Sequence, residues 1–147
     1  MTLNKILEWC KNNIGKELVS PRSIVFQTAR SPQDFVIVSI NNKNEVIKIQ
    51  FKNSKTILPL EFWRFQAAID FLRNRSDYVW LGTSLYSVQG SNLENHLQTL
   101  SKQRYGRKVD TKTASHIGDI LVLSGIAKYG WTKSPNNRTI QGIKLSE

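Results

Sequence analysis

Apolar residues recur at helical spacing in four segments of the chain and at alternate positions in several others. The helical period predicts helices over residues 2–14, 59–73, 91–106 and 113–124. The period of two predicts strands over residues 24–28, 35–40, 45–51, 78–81, 126–133 and 138–145, with a further short candidate over 85–88. Because strands and helices are mixed along the chain, the pattern favours the α+β class.

The last predicted helix has recognisable start and stop signals. Thr113 is a candidate N-cap, and Gly125 supplies the left-handed conformation that commonly ends a helix. The apolar stripe, which we expect to pack inward, consists of Ala114, Ile117, Ile120, Leu121 and Ser124. The opposite face, which we expect to be offered to a partner, carries Lys112, Ser115, Asp119 and Val122, with His116 on its flank.

A hairpin is predicted directly after this helix. Residues 134–137 read Ser-Pro-Asn-Asn, which is typical of a turn, and Lys133 and Arg138 flank the hairpin tip. Such a charged tip suits a phosphate backbone or a minor groove. Upstream, Ser91 and Glu94 form a capping-box pattern at the start of the preceding helix, and Gly106 closes it.

This C-terminal part resembles the winged-helix repressors, especially the arsenic-responsive and multidrug-responsive kinds. The resemblance covers about a third of the chain and is carried by Ser115, His116, Ile117, Leu121, Gly125, Ile126 and the hairpin. It implies a supporting helix over residues 91–106, a recognition helix over 113–124 and a wing over 126–145. The expected fold is therefore a C-terminal winged helix-turn-helix with an N-terminal helix and a small antiparallel sheet.

The resemblance also implies a double-stranded DNA partner and a set of contact residues. In this arrangement Lys112, Ser115 and His116 meet the major groove, while Lys133 and Arg138 clamp from the wing. Arg104, Arg107 and Lys108 are expected to hold flanking phosphates, and Lys102 and Lys128 complete the set of candidate contacts. Since the presented helix face carries Asp119 and no Arg or Asn, we expect backbone contact to outweigh base reading.

The charge of the chain agrees with a polyanionic partner. There are 21 basic and 11 acidic residues, giving a net charge of +10. From residue 102 to residue 144 nine basic residues stand against only Asp110 and Asp119. The plainer interpretation is that lysine solubilises the surface, but the clustering of cations near the wing favours an interface.

The first part of the chain is interpreted as an appended unit. We expect residues 1–55 to form a helix with antiparallel strands that mediates homodimerisation or binds a protein partner, and residues 56–147 to form the winged-helix unit. Cys10 lies on the apolar face of the first helix, which favours a packed thiol. No apolar run suits a signal peptide or a membrane crossing, so we expect a cytoplasmic protein without a membrane partner.

Catalysis is the less favoured class. A nuclease-like trace consists of Asp34, Glu45 and Lys48, but positions three apart on a strand point to opposite faces. His96 and His116 lack neighbours at ligand spacing, so no metal, cofactor or catalytic residue is predicted. We predict a transcriptional regulator or a DNA-binding module of a DNA-processing system. The alternatives are a winged-helix protein-interaction module, a metal-dependent nuclease or accessory subunit, and a single-strand binder that stacks bases on Tyr129 and Trp131.

Overall fold

The computed structural model describes residues 2–27, 34–82, 92–106 and 111–146, and these form an α+β fold with two antiparallel sheets. The helices are α1 (Thr2–Asn12), α2 (Pro21–Val25), α3 (Phe62–Arg73), α4 (Leu93–Tyr105) and α5 (Ala114–Leu123). The strands are β1 (Glu17–Leu18), β2 (Phe35–Asn41), β3 (Val46–Phe51), β4 (Ile57–Glu61), β5 (Val79–Trp80), β6 (Ala127–Lys133) and β7 (Thr139–Leu145). The predicted α+β class is confirmed.

The first sheet is a meander of four strands in the order β1-β2-β3-β4. Its inward side chains follow the alternation seen in the sequence, with Ile37, Ile47 and Ile49 fully buried. Helix α1 packs against this sheet through Ile6 and Cys10. Burial raises the pKa of the Cys10 thiol to about 12, so it is a packed core side chain as predicted.

Strand β4 corrects the sequence-based assignment of the residues around Pro59. The sequence placed Pro59 in the first turn of a helix, whereas it lies in the edge strand β4 and α3 begins at Phe62. Leu58 and Leu60 are buried while Ile57 and Pro59 are exposed, which is the period of a strand. An edge strand tolerates proline because one row of its N–H groups has no ladder partner.

Helix α2 corrects the strand predicted over residues 24–28. The β-branched pair Ile24 and Val25 suggested a strand, but Pro21 occupies the first turn of a short helix, where its missing N–H costs nothing. The part of the predicted strand beyond Gln27 lies outside the described residues. This helix brings Arg22 to the C-terminal half of the molecule, where it contacts α5.

The second sheet has three strands in the order β5-β7-β6. Val79 pairs with Ile143, and Ile143 pairs with Tyr129, so these three buried residues form the inner face toward the helices. Alternation then places Lys128, Gly130, Thr132, Gly142 and Lys144 on the opposite face, which we call the outer face. The predicted hairpin is confirmed, but its turn has five residues instead of the four predicted; the strand candidate over 85–88 lies outside the described residues.

One hydrophobic core joins the first sheet and α1 to the helices α4 and α5. It includes Ile6, Phe35 and Leu60 from the former and Leu97 and Ile120 from the latter. The predicted division between residues 55 and 56 falls between β3 and β4, and β4 pairs with β3 in the first sheet. Within the described ranges, none of the helices has the length and hydrophobicity that a bilayer crossing requires.

The ends of α4 and α5 are fixed partly as predicted. Gly106 and Gly125 adopt φ values of +73° and +82° and end their helices. The N-cap of α4 is Asn92, whose side-chain oxygen accepts the backbone N–H of Asn95 at 2.8 Å, while Ser91 of the expected capping box lies outside the described residues. At α5, Thr113 occupies the N-cap position without a capping hydrogen bond from its side chain.

Candidate nucleic-acid interface

The middle of α5 is closed off by a buried polar network centred on Asp119. This carboxylate, which is fully buried, accepts hydrogen bonds from Ser20 Oγ at 2.8 Å, from Arg22 Nε at 3.0 Å and from Tyr129 OH at 2.7 Å. A second bond from Arg22 Nη2 at 3.1 Å makes the pair bidentate. The prediction that Asp119 lies on a face offered to a partner is therefore wrong.

The pKa values of Arg22 and Tyr129 are both shifted by their burial beside Asp119. Burial alone lowers the pKa of the Arg22 guanidinium, but the adjacent Asp119 carboxylate outweighs it and the pKa rises. Burial and Asp119 together raise the pKa of Tyr129 well above its ordinary value, so its hydroxyl remains a hydrogen-bond donor. The Asp119 carboxylate is thus paired with Arg22 inside the protein and does not reach the surface.

The N-terminus of α5 is also occupied from within. Glu94 of α4, which is almost fully buried, accepts the backbone N–H of Ala114 at 3.2 Å and a bond from Gln98 Nε2 at 3.0 Å. A carboxylate in this position satisfies a free N–H and complements the helix dipole. Thr113 Oγ1 accepts instead from Arg64 at 3.3 Å. This helix end is therefore already supplied with an anion.

Ser115 and His116, the residues predicted to meet a major groove, are both partly buried. The ring of His116 lies 4.8 Å from the ring of Phe51, which belongs to β3 of the first sheet. The backbone carbonyl of Ser115 accepts a hydrogen bond from Tyr129 OH at 3.4 Å. Phe51 of the first sheet therefore covers part of His116, and Ser115 and His116 are less accessible than the sequence predicted.

The covered position of His116 predicts a pH effect on stability. Burial, together with the charge of Arg22, lowers the pKa of His116 from 6.5 to about 4. As pH falls below about 6.5, the unfolded chain takes up a proton that the folded imidazole resists, so stability is retained above that pH and falls toward pH 4. The full linkage loss is about 3 kcal/mol.

Urea unfolding at a series of pH values measures this effect. His116→Asn should remove the part of the stability loss that lies between about pH 6.5 and 4. His96→Asn should keep the His116 part of the loss, although burial also lowers the pKa of His96 and its replacement removes a contribution of its own. Parallel pH profiles for wild type and His116→Asn would contradict the assignment.

The C-terminal hairpin, by contrast, presents cations that no described carboxylate neutralises. Lys128 and Lys144 are direct cross-strand partners on the outer face. Like charges opposite each other on neighbouring strands are destabilising, because their Cβ atoms lie only about 5 Å apart. No described acidic group forms an ion pair with either of them. An anion bound at this point would relieve the repulsion.

An aromatic ring lies beside these two lysines. The Tyr78 ring covers Gly130, where a Cβ atom would come within 2.4 Å of the ring. Gly130 pairs with Gly142, and the two glycines make room for the ring on the outer face. The ammonium of Lys144 lies 5.2 Å from the Tyr78 ring centroid, a cation–π distance. The glycine pair thus fixes a basic and aromatic surface on the outer face.

The hairpin tip carries the two cations predicted there. Lys133 and Arg138 are both exposed, and Lys133 Nζ donates to Thr139 Oγ1 at 2.7 Å, which holds the ammonium at the end of the ladder. From residue 111 to residue 146 the only acidic residue is the buried Asp119. The predicted position of both cations at the tip is confirmed, and every charged side chain of the hairpin is basic.

The other predicted contacts lie at the end of α4 and before α5. Lys102, Arg104 and Lys112 are exposed, and the Arg104 guanidinium lies 4.9 Å from the Trp63 ring centroid. Arg107 and Lys108 lie outside the described residues. The described candidates therefore lie on the hairpin, in the last turns of α4 and just before α5.

The residues of the nuclease-like alternative are not brought together. Asp34 precedes the first residue of β2, whereas Glu45 lies in the turn at the other end of the β2–β3 ladder. At about 3.3 Å per residue these two positions are more than about 20 Å apart. In the part of the chain that the structure describes, no group of three metal-ligating side chains occurs.

No protein-family model, curated protein or solved structure matches this chain.

Three features of the interface were not found by reasoning from the sequence. Lys144 was counted as a charge but not proposed as a contact, because its pairing with Lys128 depends on the hairpin register. Tyr78 was not proposed as part of an interface, although a glycine in each of two strands indicates a close approach by another group. The Arg22–Asp119 pair joins residues 97 positions apart, and no local pattern signals it.

Proposed function

We propose that this protein binds duplex DNA through its phosphate backbone, using the C-terminal hairpin as the principal contact. The observation that carries the proposal is the unopposed positive surface of the hairpin, with Lys128 and Lys144 set against each other on neighbouring strands and Lys133 and Arg138 at the tip. A row of phosphates supplies the counter-charge that the described part of the protein does not. Lys102, Arg104 and Lys112 extend the contact to flanking phosphates.

The order of elements supports a winged-helix origin for this unit. Helix α3 leads into β5, α4 and α5 follow, and β6 and β7 form the hairpin, with β5 paired to β7 at the edge of the sheet. A strand placed before the two helices and joined to the hairpin is compatible with the small sheet that a winged helix builds with its wing. In this interpretation α5 corresponds to the recognition helix.

The surroundings of α5 favour a DNA-binding mode that is tolerant of sequence. Glu94 occupies the N-terminus of α5, and Phe51 packs against His116 on its side. Direct base reading requires side chains that reach base edges in a groove, and α5 has no open face with Arg or Asn to do so. Ser115 and His116 are therefore left outside the proposed contact surface, and phosphate contact carries the affinity.

A titration of the protein with labelled duplexes at several salt concentrations tests the proposal. Seven exposed or partly exposed cations, four on the hairpin and three in the last turns of α4 and before α5, predict a slope of log K against log salt of about −4 to −6. Duplexes of unrelated sequence should bind with affinities within a few fold of each other. A slope near zero, or strong selection of one duplex sequence, would contradict backbone recognition by these cations.

A protein-interaction module is the second candidate, and one observation favours it. Ile24 and Val25 on α2 are 66% and 42% exposed, and Phe26 next to them packs on the half-exposed Trp131. Neighbouring exposed apolar side chains of this kind often mark protein contacts. A protein that fails to bind every duplex at low salt, while retaining its fold, would favour this alternative.

A further inference from the structure

A shallow cavity lies beside the proposed DNA contact at the open end of the second sheet. Its volume is about 280 Å³, close to the lower limit of small-molecule sites. The residues that line it are Trp80, Leu81, Gly82, Trp131, Thr139, Ile140 and Gln141. The cavity therefore combines two indoles, a hydroxyl and an amide within one small volume.

The register of β6 and β7 places the polar groups next to Trp131. Trp131 pairs with Gln141, and Lys133 pairs with Thr139, so these four side chains form two successive cross-strand pairs on the same face. The hydrogen bond from Lys133 Nζ to Thr139 Oγ1 holds a positive charge at the rim of the cavity. An aromatic surface, an amide and an ammonium thus follow one another along the hairpin.

Trp131 is held on one side and open on the other. Its ring meets Phe26 edge-on with a centroid distance of 4.8 Å, and Phe26 is almost fully buried. Nevertheless 52% of Trp131 is exposed. A fixed ring with an open surface can stack a planar ligand without first losing much side-chain freedom.

We propose that this cavity binds one unpaired nucleobase, stacked on Trp131 with its polar edge toward Gln141 and its phosphate near Lys133. The polar lining and the adjacent cation favour a nucleotide over an apolar peptide, because an amide and an ammonium would remain unsatisfied against aliphatic side chains. This inference rests on the proposed DNA binding and adds a preferred substrate, duplex DNA that carries an unpaired nucleotide.

Three probes separate base stacking from charge: a blunt duplex, the same duplex with a single-stranded extension, and a third with an extension of equal length built from abasic sites. The wild-type protein should bind the base-bearing extension about tenfold more tightly than the abasic one. Trp131→Ala should abolish this difference and leave the affinity for the blunt duplex unchanged. Trp131→Phe should retain part of it, which guards against a folding defect in the alanine variant.

Two further variants sharpen the test. Gln141→Leu should keep the preference for the base-bearing extension but change the ranking among extensions made of a single base type. Tyr105→Ala removes an aromatic ring of similar exposure on α4 and should leave the preference intact.

The outcomes distinguish this inference from the proposed function. Equal binding of the base-bearing and abasic extensions by the wild type, or a preference that survives Trp131→Ala, overturns the base pocket while duplex binding stands. Failure to bind any of the three probes overturns both, and Trp131 is then better explained as a protein contact.

Discussion

Replacing Asp119 with alanine is expected to destabilise the protein by about 3–5 kcal/mol, the largest effect of any single substitution considered for this chain. The substitution removes the carboxylate that pairs with the Arg22 side chain, which is only 17% exposed, and removes the acceptor for Ser20 and Tyr129. For a chain of 147 residues this corresponds to a fall in Tm of about 10 °C or more. Chemical and thermal unfolding followed by circular dichroism measure the change.

Asp70 offers a matched control on the surface. It pairs with Arg73 at 3.4 Å, and both side chains are 56% exposed. Asp70→Ala should cost no more than about 0.5 kcal/mol, because solvent screens the pair. Replacing Arg22 and Asp119 together with apolar residues should cost less than the sum of the two single changes. A loss below about 1 kcal/mol for Asp119→Ala would show that the network contributes little to stability.

Removing the four hairpin cations is expected to have the largest effect on DNA binding. With Lys128, Lys133, Arg138 and Lys144 all replaced by alanine, the salt slope should fall in magnitude by about three to four. The affinity at about 0.1 M salt should fall by about a hundredfold or more, equally for all duplex sequences. Fluorescence anisotropy with duplexes of unrelated sequence, at several salt concentrations, gives both quantities.

A second quadruple variant separates the proposed surface from the overall charge. Lys5, Lys11, Lys43 and Lys48 are exposed and belong to the first half of the molecule. Their replacement by alanine lowers the net charge by the same amount, yet it should change the salt slope by less than about one. Equal losses for the two quadruple variants would mean that the positive charge acts as a diffuse field and that no contact surface lies on the hairpin.

The elements that the sequence predicted well are those set by local physics. Helix α1, strands β2 and β3, and the last helix and hairpin follow from the period of their apolar residues and from the residues that end them. Strand β4 and helix α2 were assigned to the wrong class because Pro59 suits a helix start as well as an edge strand, and because β-branched Ile24 and Val25 outweighed Pro21.

The candidate site depended on facts that the sequence does not carry. The predicted strands left a turn of four residues, whereas the strands end at Lys133 and resume at Thr139, which leaves five. This single residue changes every cross-strand partner and sets Lys128 opposite Lys144. The burial of Asp119 is equally non-local, since a carboxylate in the middle of a helix is normally solvated and the donors that offset its desolvation come from Ser20, Arg22 and Tyr129 on other elements.

The link between Arg22 and Asp119 also constrains the order of folding during synthesis. Arg22 leaves the ribosome 97 residues before its counter-ion, so the earliest segments emerge with a guanidinium that cannot yet be enclosed. The strands of the nascent first sheet can pair, but the surface against which α5 packs remains exposed to solvent until α5 has been translated. We therefore expect a fragment ending before residue 119 to remain vulnerable to proteases around α2.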